Sequence, residues 1–404
     1  MMEVDRQRFL EEGYVILRQV IPPDQLEELR RVYEILVDRQ RAIWARDRAP
    51  EDPPGGHWET AAQPRLTLTS LAGEIDASTA GAVEIWLHEN THGVSSRLLG
   101  VEDAAVTEMM LMCSPVRDHG PARWHRDFAP GHSSSVMGYA EDIRENGPRY
   151  VQWNLTLYDD DVLWVVPGSH LRPNTPEEVE QLRRNDRAPL DSGVQTHLAA
   201  GDGVAYILPI LHWASDYSTR LRRVIHGGFS NFTHYPDPRF CEHLSPGAQA
   251  TFERWRRRSD LAVDHVETAL RAVLEGDGPG YHRALEELHP GSGPMAKRQS
   301  TIFLSKSARD IRNLHHPDFE SLPQKDRKFA AMVHPMTLQW GPRLGDRFSD
   351  AEAKALWARF EPVDRSLQGE EEQTFPGFQG RGSRYFFNEV PESLTVDGFI
   401  AGWA

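Results

Sequence analysis

The sequence predicts a mainly β protein with helices, built as a sandwich or barrel of short strands with N-terminal helices packed on one sheet. Three observations predict it. Short apolar or alternating runs separated by turn signals recur between residues 105 and 231. The preceding hundred residues carry helix caps and helical apolar spacing instead. After Phe240 the texture changes to long helical stretches punctuated by Gly and Pro. A jelly roll fits that order, and it divides the chain into a core domain, 1–240, and a helix-rich C-terminal extension, 241–404.

Taken in order, Asp5 is placed to cap a short helix that Gly13 ends. Residues 14–21 are apolar and β-branched, a strand. Asp24 and Glu27 stand at capping-box spacing, and Leu26, Leu29, Tyr33 and Leu36 give the helix behind them an apolar face. Residues 46–64 read as a loop and 79–92 as an amphipathic helix that Gly93 ends. Residues 105–113 form a strand, and 114–122 lead on to His125. The stretch 129–148 has no clear period and reads as a mobile loop. In 149–157 the side chains alternate: Val151, Trp153, Leu155 and Leu157 take one face, Gln152, Asn154 and Thr156 the other. Strands follow at 162–166, 193–198, 203–208 and 222–231. Thr175 and Glu178 form a capping box around Pro176. Beyond them, 247–275 reads as a helix, Ser349 and Glu352 cap another, and 384–390 is a short strand.

Composition narrows the partners. In 404 residues, 60 acidic against 45 basic side chains give a formal net charge of −15, which argues against nucleic acid and anionic membranes as general partners. The two cysteines, Cys113 and Cys241, make neither a disulfide framework nor a C-x-x-C, so a cytoplasmic location is expected. No apolar run reaches transmembrane length.

The chemistry centres on Trp124-His125-Arg126-Asp127. Two residues apart on an extended strand, His125 and Asp127 project to the same side. They are two of the three ligands of a facial triad for non-haem Fe(II), which leaves three coordination positions open. His212, after the 203–208 strand, is the third candidate. On the next strand Arg223, Ile225, Gly227 and Phe229 share a face, and Arg223 is expected to point inward with His212. A buried Arg beside a metal needs an anion. A dicarboxylate held by the metal at one end and Arg223 at the other satisfies it, and 2-oxoglutarate is such a molecule. By the same parity His226 is set aside, and Arg220 and Arg222 are expected to be solvated.

These motifs, in this order, resemble the phytanoyl-CoA dioxygenase family of Fe(II)/2-oxoglutarate oxygenases. The resemblance rests on the opening Phe9-Leu10-Glu11-Glu12-Gly13-Tyr14-Val15-Ile16-Leu17 and on Leu98-Leu99-Gly100 before the strand to Cys113. It rests further on Trp124 to Asp127, Val165-Val166-Pro167-Gly168-Ser169-His170, Gly201-Asp202-Gly203, and Arg223 eleven residues after His212. It covers residues 5–235 and implies a double-stranded β-helix, cupin-like core. It also implies a dioxygenase that uses O2 and 2-oxoglutarate to hydroxylate a C–H bond of a small molecule, releasing succinate and CO2. Where family members hold 2-oxoglutarate with a Lys or Trp, this chain offers Asn154 and Thr156 on the polar face of their strand. His170 is expected to be a structural turn residue.

Other readings compete. A jelly roll that binds a metal or ligand without turnover has the same pattern. His88-Glu89-Asn90-Thr91-His92 is a literal H-E-x-x-H, the zinc signature of metallopeptidases. Gly93 is expected to end that helix at once. The Gly-rich stretches 276–280 and 377–382 open no evident helix, so they are not read as phosphate cradles. Arg254, Arg256, Arg257 and Arg258 read as a solvated helix face. Finally, Trp255, Phe303, Leu304, Trp340, Trp357, Phe360, Phe386, Phe387 and Trp403 make the extension too apolar to be a disordered tail. It is expected to cover the open end of the core.

Overall fold

The computed structural model describes residues 2–68, 71–231, 239–317, 344–378 and 382–403; Trp340 and part of the 377–382 stretch lie outside them. Eleven strands build the first part of the chain: β1 (Tyr14–Leu17), β2 (Arg65–Thr67), β3 (Ala105–Cys113), β4 (Gly120–Pro121), β5 (Tyr150–Thr156), β6 (Trp164–Val165), β7 (Val194–Gln195), β8 (Gly203–Ile207), β9 (His212–Trp213), β10 (Ser215–Asp216) and β11 (Arg223–Ser230). Six of them pair antiparallel in the order β1-β8-β5-β11-β3-β2. A smaller sheet runs β7-β6-β9, β10 pairs with β4, and a single bridge joins His125 to His212.

The alternation in each strand decides which layer its side chains enter. On one face of the large sheet Met109, Leu111, Val151, Trp153, Leu155, Ile207, Ile225 and Phe229 meet Leu29, Tyr33 and Leu36 of the Leu26–Arg46 helix in one continuous core. On the other face Val204 and Tyr206 pack against Val165 of the smaller sheet and against Leu163 and Leu198 beside it. The architecture is thus a mixture of helices and antiparallel sheets, with the two sheets face to face.

The extension has a core of its own. Val263, Leu270, Tyr281, Ile302, Leu304, Leu356 and Phe360 bring together the helices Pro246–Glu275, Gly278–Leu288, Pro294–Leu314 and Asp350–Ser366. The Pro246–Glu275 helix belongs to both parts, since its Phe252 and Trp255 lie in the first core.

Many local signals act as the sequence implies. Asp5 accepts from the Arg8 N–H, and Gly13 closes the first helix in the left-handed region at φ 83°. A Cβ at Gly13 would also lie 2.3 Å from Nδ1 of the buried His170, whose Nε2 meets the Leu10 carbonyl at 3.0 Å. Thr175 and Ser349 both form complete capping boxes.

Other expectations give way. The stretch 129–148 contains the helix Val136–Asn146, capped by Ser135. Val136, Ala140 and Ile143 share its buried face with Asp142, whose bidentate pair with Arg149 puts a charge where periodicity expects an apolar residue. The helix behind Asp24 starts only at Leu26 without a side-chain cap, because Glu27 turns to Arg30 instead. Residues 81–99 are four short helical pieces, and Gly93 is helical at φ −64°; the stop is Gly100 at φ 74°. The 276–280 cluster does open a helix, for Gly276 ends one helix while Asp277 caps the next.

Candidate metal centre

His125, Asp127 and His212 come together although 87 residues separate the first from the last, the difference of their numbers. One ligand atom from each lies within 4.8 Å of the others, and this is the one group of its kind among the described residues. The bridge between His125 and His212 does the positioning: their backbone N–H and carbonyl groups exchange two hydrogen bonds of 2.9 Å. Arg126, between the two N-terminal ligands, is buried facing the other way. It donates to the carbonyls of Ser169 and Pro209 and to Asn174, clamping the Pro-Gly-Ser-His turn beneath the ligand strand.

Each imidazole is oriented by its own backbone. His125 Nδ1 lies 2.8 Å from the Arg123 carbonyl, and His212 Nδ1 lies 3.1 Å from that of Ile210. A carbonyl can only accept, so each Nδ1 carries a proton, and each Nε2 is the ring nitrogen left to face Asp127. Both Nε2 atoms stand 3.4 Å from Asp127, one from each carboxylate oxygen. Gln152 Nε2 donates to Asp127 Oδ2 at 2.9 Å and to the Tyr206 hydroxyl at 2.8 Å.

Burial, aided by the neighbouring His212, pushes the His125 imidazole down to about 4. Burial would also lower His212, but the charge and hydrogen bond of Asp127 outweigh it and raise this imidazole above its ordinary value. Burial alone would raise Asp127, yet the two histidines and Gln152 hold its carboxyl well below the usual carboxylate range. The cluster is therefore a half-buried carboxylate facing the Nε2 atoms of two buried imidazoles. Such a set fits a divalent cation with three protein ligands on one face.

The anion anchor differs from the expectation. Arg223 lies on the helix-facing side of β11 with Ile225 and Phe229; it pairs with Glu34 at 2.7 Å and stacks over Trp58. The alternation holds, but the face it defines enters the other layer: Ile225 and Phe229 belong to the large apolar core, so Arg223 goes with them. The residues of β11 that face the triad are the even ones. Arg222 precedes them, 8% exposed rather than solvated, and its Nε donates to Asp160 at 2.6 Å. Arg220 is exposed and pairs with Asp161.

His226, set aside on the sequence, faces the triad: its Nε2 is 3.4 Å from Gln152, its Nδ1 2.6 Å from Asn154 Oδ1. Burial pushes this imidazole down to about 3. Asn154 thus lies on the metal-facing side but is engaged with His226. Thr156 is buried, and its hydroxyl donates to the Ala199 carbonyl at 3.0 Å. Gln152, Tyr206 and His226 are missed by motif reading; the polar face of residues 150–156 is the signal that points to them.

The rival zinc motif does not assemble. His88 accepts from the Asn90 N–H, His92 pairs with Asp103 at 3.0 Å, and Glu89 pairs with Arg97. The 254–258 arginines are tied up as well: Arg254 and Arg258 with Asp103, Arg256 and Arg257 with Glu253.

The extension reaches the segment that follows Asp127. Phe128 packs edge-on against Phe378 at 5.4 Å, Arg309 donates to the Gly131 carbonyl, and the N–H groups of Val136 and Met137 donate to the carbonyls of Phe387 and Asn388. No helix among the described residues is long and apolar enough to cross a membrane.

Among solved structures, the chain is similar to AviO1 from Streptomyces viridochromogenes Tue57, at 20% identity and a TM-score of 0.40, covering 59% of this chain and 100% of that one. It is similar to the epimerase SnoN in complex with Fe3+, alpha ketoglutarate and nogalamycin RO, at 17% identity and a TM-score of 0.37 over 56% of this chain and 82% of that one. HygX from Streptomyces hygroscopicus with nickel and 2-oxoglutarate bound matches at 16% identity and a TM-score of 0.39 over 58% of this chain and 90% of that one. No curated protein matches the sequence. The family model described as phytanoyl-CoA dioxygenase (PhyH) matches residues 9–224, more than half of the chain and all of the stretch that carries the triad. By that match the chain belongs to the phytanoyl-CoA dioxygenase family.

Proposed function

We propose that the protein is a 2-oxoglutarate-dependent dioxygenase that hydroxylates a C–H bond of a small molecule, with His125, Asp127 and His212 as the ligands of Fe(II). The family's cofactors are Fe(II), 2-oxoglutarate and O2. The observation that carries the reading is the convergence of two Nε2 atoms on one half-buried carboxylate, each imidazole fixed through Nδ1. Bound at such a site, Fe(II) with 2-oxoglutarate couples O2 activation to oxidative decarboxylation, which yields succinate and CO2.

The chain's own residues bind and orient. Gln152 fixes the plane of the Asp127 carboxylate, and His226 and Asn154 form a neutral hydrogen-bonded wall behind it. Arg222, rather than Arg223, is proposed to hold the far carboxylate of 2-oxoglutarate. Its side chain belongs to the triad-facing set, and Asp160 occupies its Nε, which leaves both Nη groups to donate. The strand order, with β3, β11, β5 and β8 opposite β7, β6, β9 and the 120–125 segment, supports a double-stranded β-helix core. A core domain of 1–240 and an extension of 241–404 remain the proposed division, and the contacts to Phe128, Gly131, Val136 and Met137 support a cover beside the site.

Anaerobic titration tests the assignment. The protein should bind about one Fe(II) per chain, as a single triad does, and 2-oxoglutarate should then produce a weak visible charge-transfer band. His125→Ala and His212→Ala should abolish it, while His88→Ala and His92→Ala should not. A band that survives His212→Ala but disappears in His88→Ala overturns the assignment.

A further inference from the structure

Two charged side chains on the metal-facing side of the large sheet have no part in the reading above. The register aligns Arg65 of β2 with Met112, Val224 and Thr156, and Thr67 with Met110, His226 and Asn154. Glu108 aligns with Gly228 and Gln152, the residue that holds Asp127. Arg65 and Glu108 are therefore on the same wall, four residues apart along β3, or about 13 Å of strand. Met110 and Met112 form an apolar floor between them with Val224.

Neither charge is spent on the fold. Glu108 has no hydrogen-bond or ion-pair partner among the described residues, and Arg65 gives only its Nε, to Gln63 at 2.7 Å. Both side chains are accessible to solvent. Glu108 is nonetheless crowded: burial raises its carboxyl, Asp127 raises it further, and the Arg65 charge opposes the rise. Tyr150 stands beside the Glu108 register partner Gly228, with its ring crossing Gly228 so closely that a Cβ there would lie 2.2 Å from the phenol oxygen. The Arg65 charge also acts on His125, Tyr206 and His226, so it faces the triad. Strand spacing holds the two charges apart, and they do not join as a salt bridge.

We infer that Glu108 and Arg65 select the substrate. They fit a dipolar small molecule with a protonated nitrogen at Glu108, an acidic group at Arg65, and an aliphatic stretch over Met110 and Met112 that presents a C–H bond to the metal. This inference rests on the oxygenase reading of the site.

The test uses full-length protein loaded anaerobically with Fe(II) and 2-oxoglutarate. The probes are straight-chain ω-amino acids of four to eight carbons, their N-acetyl derivatives and their methyl esters, and binding is read from the perturbation of the charge-transfer band. At least one chain length should bind about tenfold more tightly than both of its blocked forms, as a charge-assisted contact provides. Glu108→Gln should erase the preference for the free amine alone, and Arg65→Gln the preference for the free acid alone, with the 2-oxoglutarate band intact in both. If the free forms bind no tighter than the blocked forms at every length, or if Glu108→Gln leaves the amine preference unchanged, the inference is wrong. A band missing from the wild-type protein would instead remove the oxygenase reading.

Discussion

Two buried clusters of ionisable side chains lie on either side of the Phe128–Met137 segment, and they are built on opposite principles. In the extension, Lys306 Nζ meets Asp364 at 2.7 Å, and both side chains are 4% exposed. The same carboxylate accepts from Tyr385 and Gln368, Arg309 donates to the Tyr385 hydroxyl, and Lys306 sits 3.7 Å over the Tyr385 ring. Cation and anion answer each other there. At the triad the Asp127 carboxylate faces two imidazoles, and among the described residues no Lys or Arg pairs with it. A buried charge without a counter-charge is costly, and the unfilled balance marks the triad as a site and the Lys306 cluster as structure.

That contrast can be broken at its strongest point first. Asp127→Ala removes the charge that calls for a cation, so iron binding and turnover should both be lost. Thermal stability should hold or rise, since the change also relieves a desolvated carboxylate; a large fall in Tm would show that the triad is structural after all. Lys306→Met should do the reverse. Leaving Asp364 buried without its cation should cost about 3–5 kcal/mol in denaturant unfolding. Iron affinity per folded molecule should be retained, and its loss would tie this cluster to the metal directly.

Gln152→Leu is a finer cut. It leaves the three ligands in place but frees the Asp127 carboxylate to rotate. Fe(II) affinity should fall about 10–100-fold, the usual effect of losing a residue that orients a ligand. Unchanged affinity would mean that the backbone alone fixes Asp127. Smallest is the comparison of adjacent arginines. Arg222→Gln should raise the 2-oxoglutarate requirement about tenfold or more. Arg223→Gln should leave that requirement alone and cost about 1 kcal/mol of stability, because its partner Glu34 is partly exposed. The opposite result would return the anchor to Arg223.

The same pair shows how far the sequence could be read. Short-range chemistry is legible: Asp5, Thr175 and Ser349 are caps because capping depends on three or four neighbouring residues. His125 and Asp127 converge although the strand expected there is only a single bridge at His125 followed by a bend at Asp127, and their companion His212 is reachable through motif order. The layer that an alternating face enters is not local. It is set by which other strands and helices supply the apolar partners, and for β11 those partners are Trp153, Leu155 and the N-terminal helices. Arg222 and His226 were lost on that point alone. The Val136–Asn146 helix was hidden for a related reason, since its buried Asp142 is neutralised by Arg149 of another element.

The short tether between Asp127 and the extension has a thermodynamic consequence. Gly131, Val136 and Met137 are fastened to Arg309, Phe387 and Asn388, so the segment that leads away from Asp127 is anchored on the extension. Coupling of this kind is reciprocal. Whatever free energy the extension contributes by holding Asp127 in register, an ion bound at the triad returns in equal measure to the extension. An ion bound at the proposed site would then steady helices that never touch it, and protection of the extension from proteolysis by added Fe(II) is the measurement that would show it.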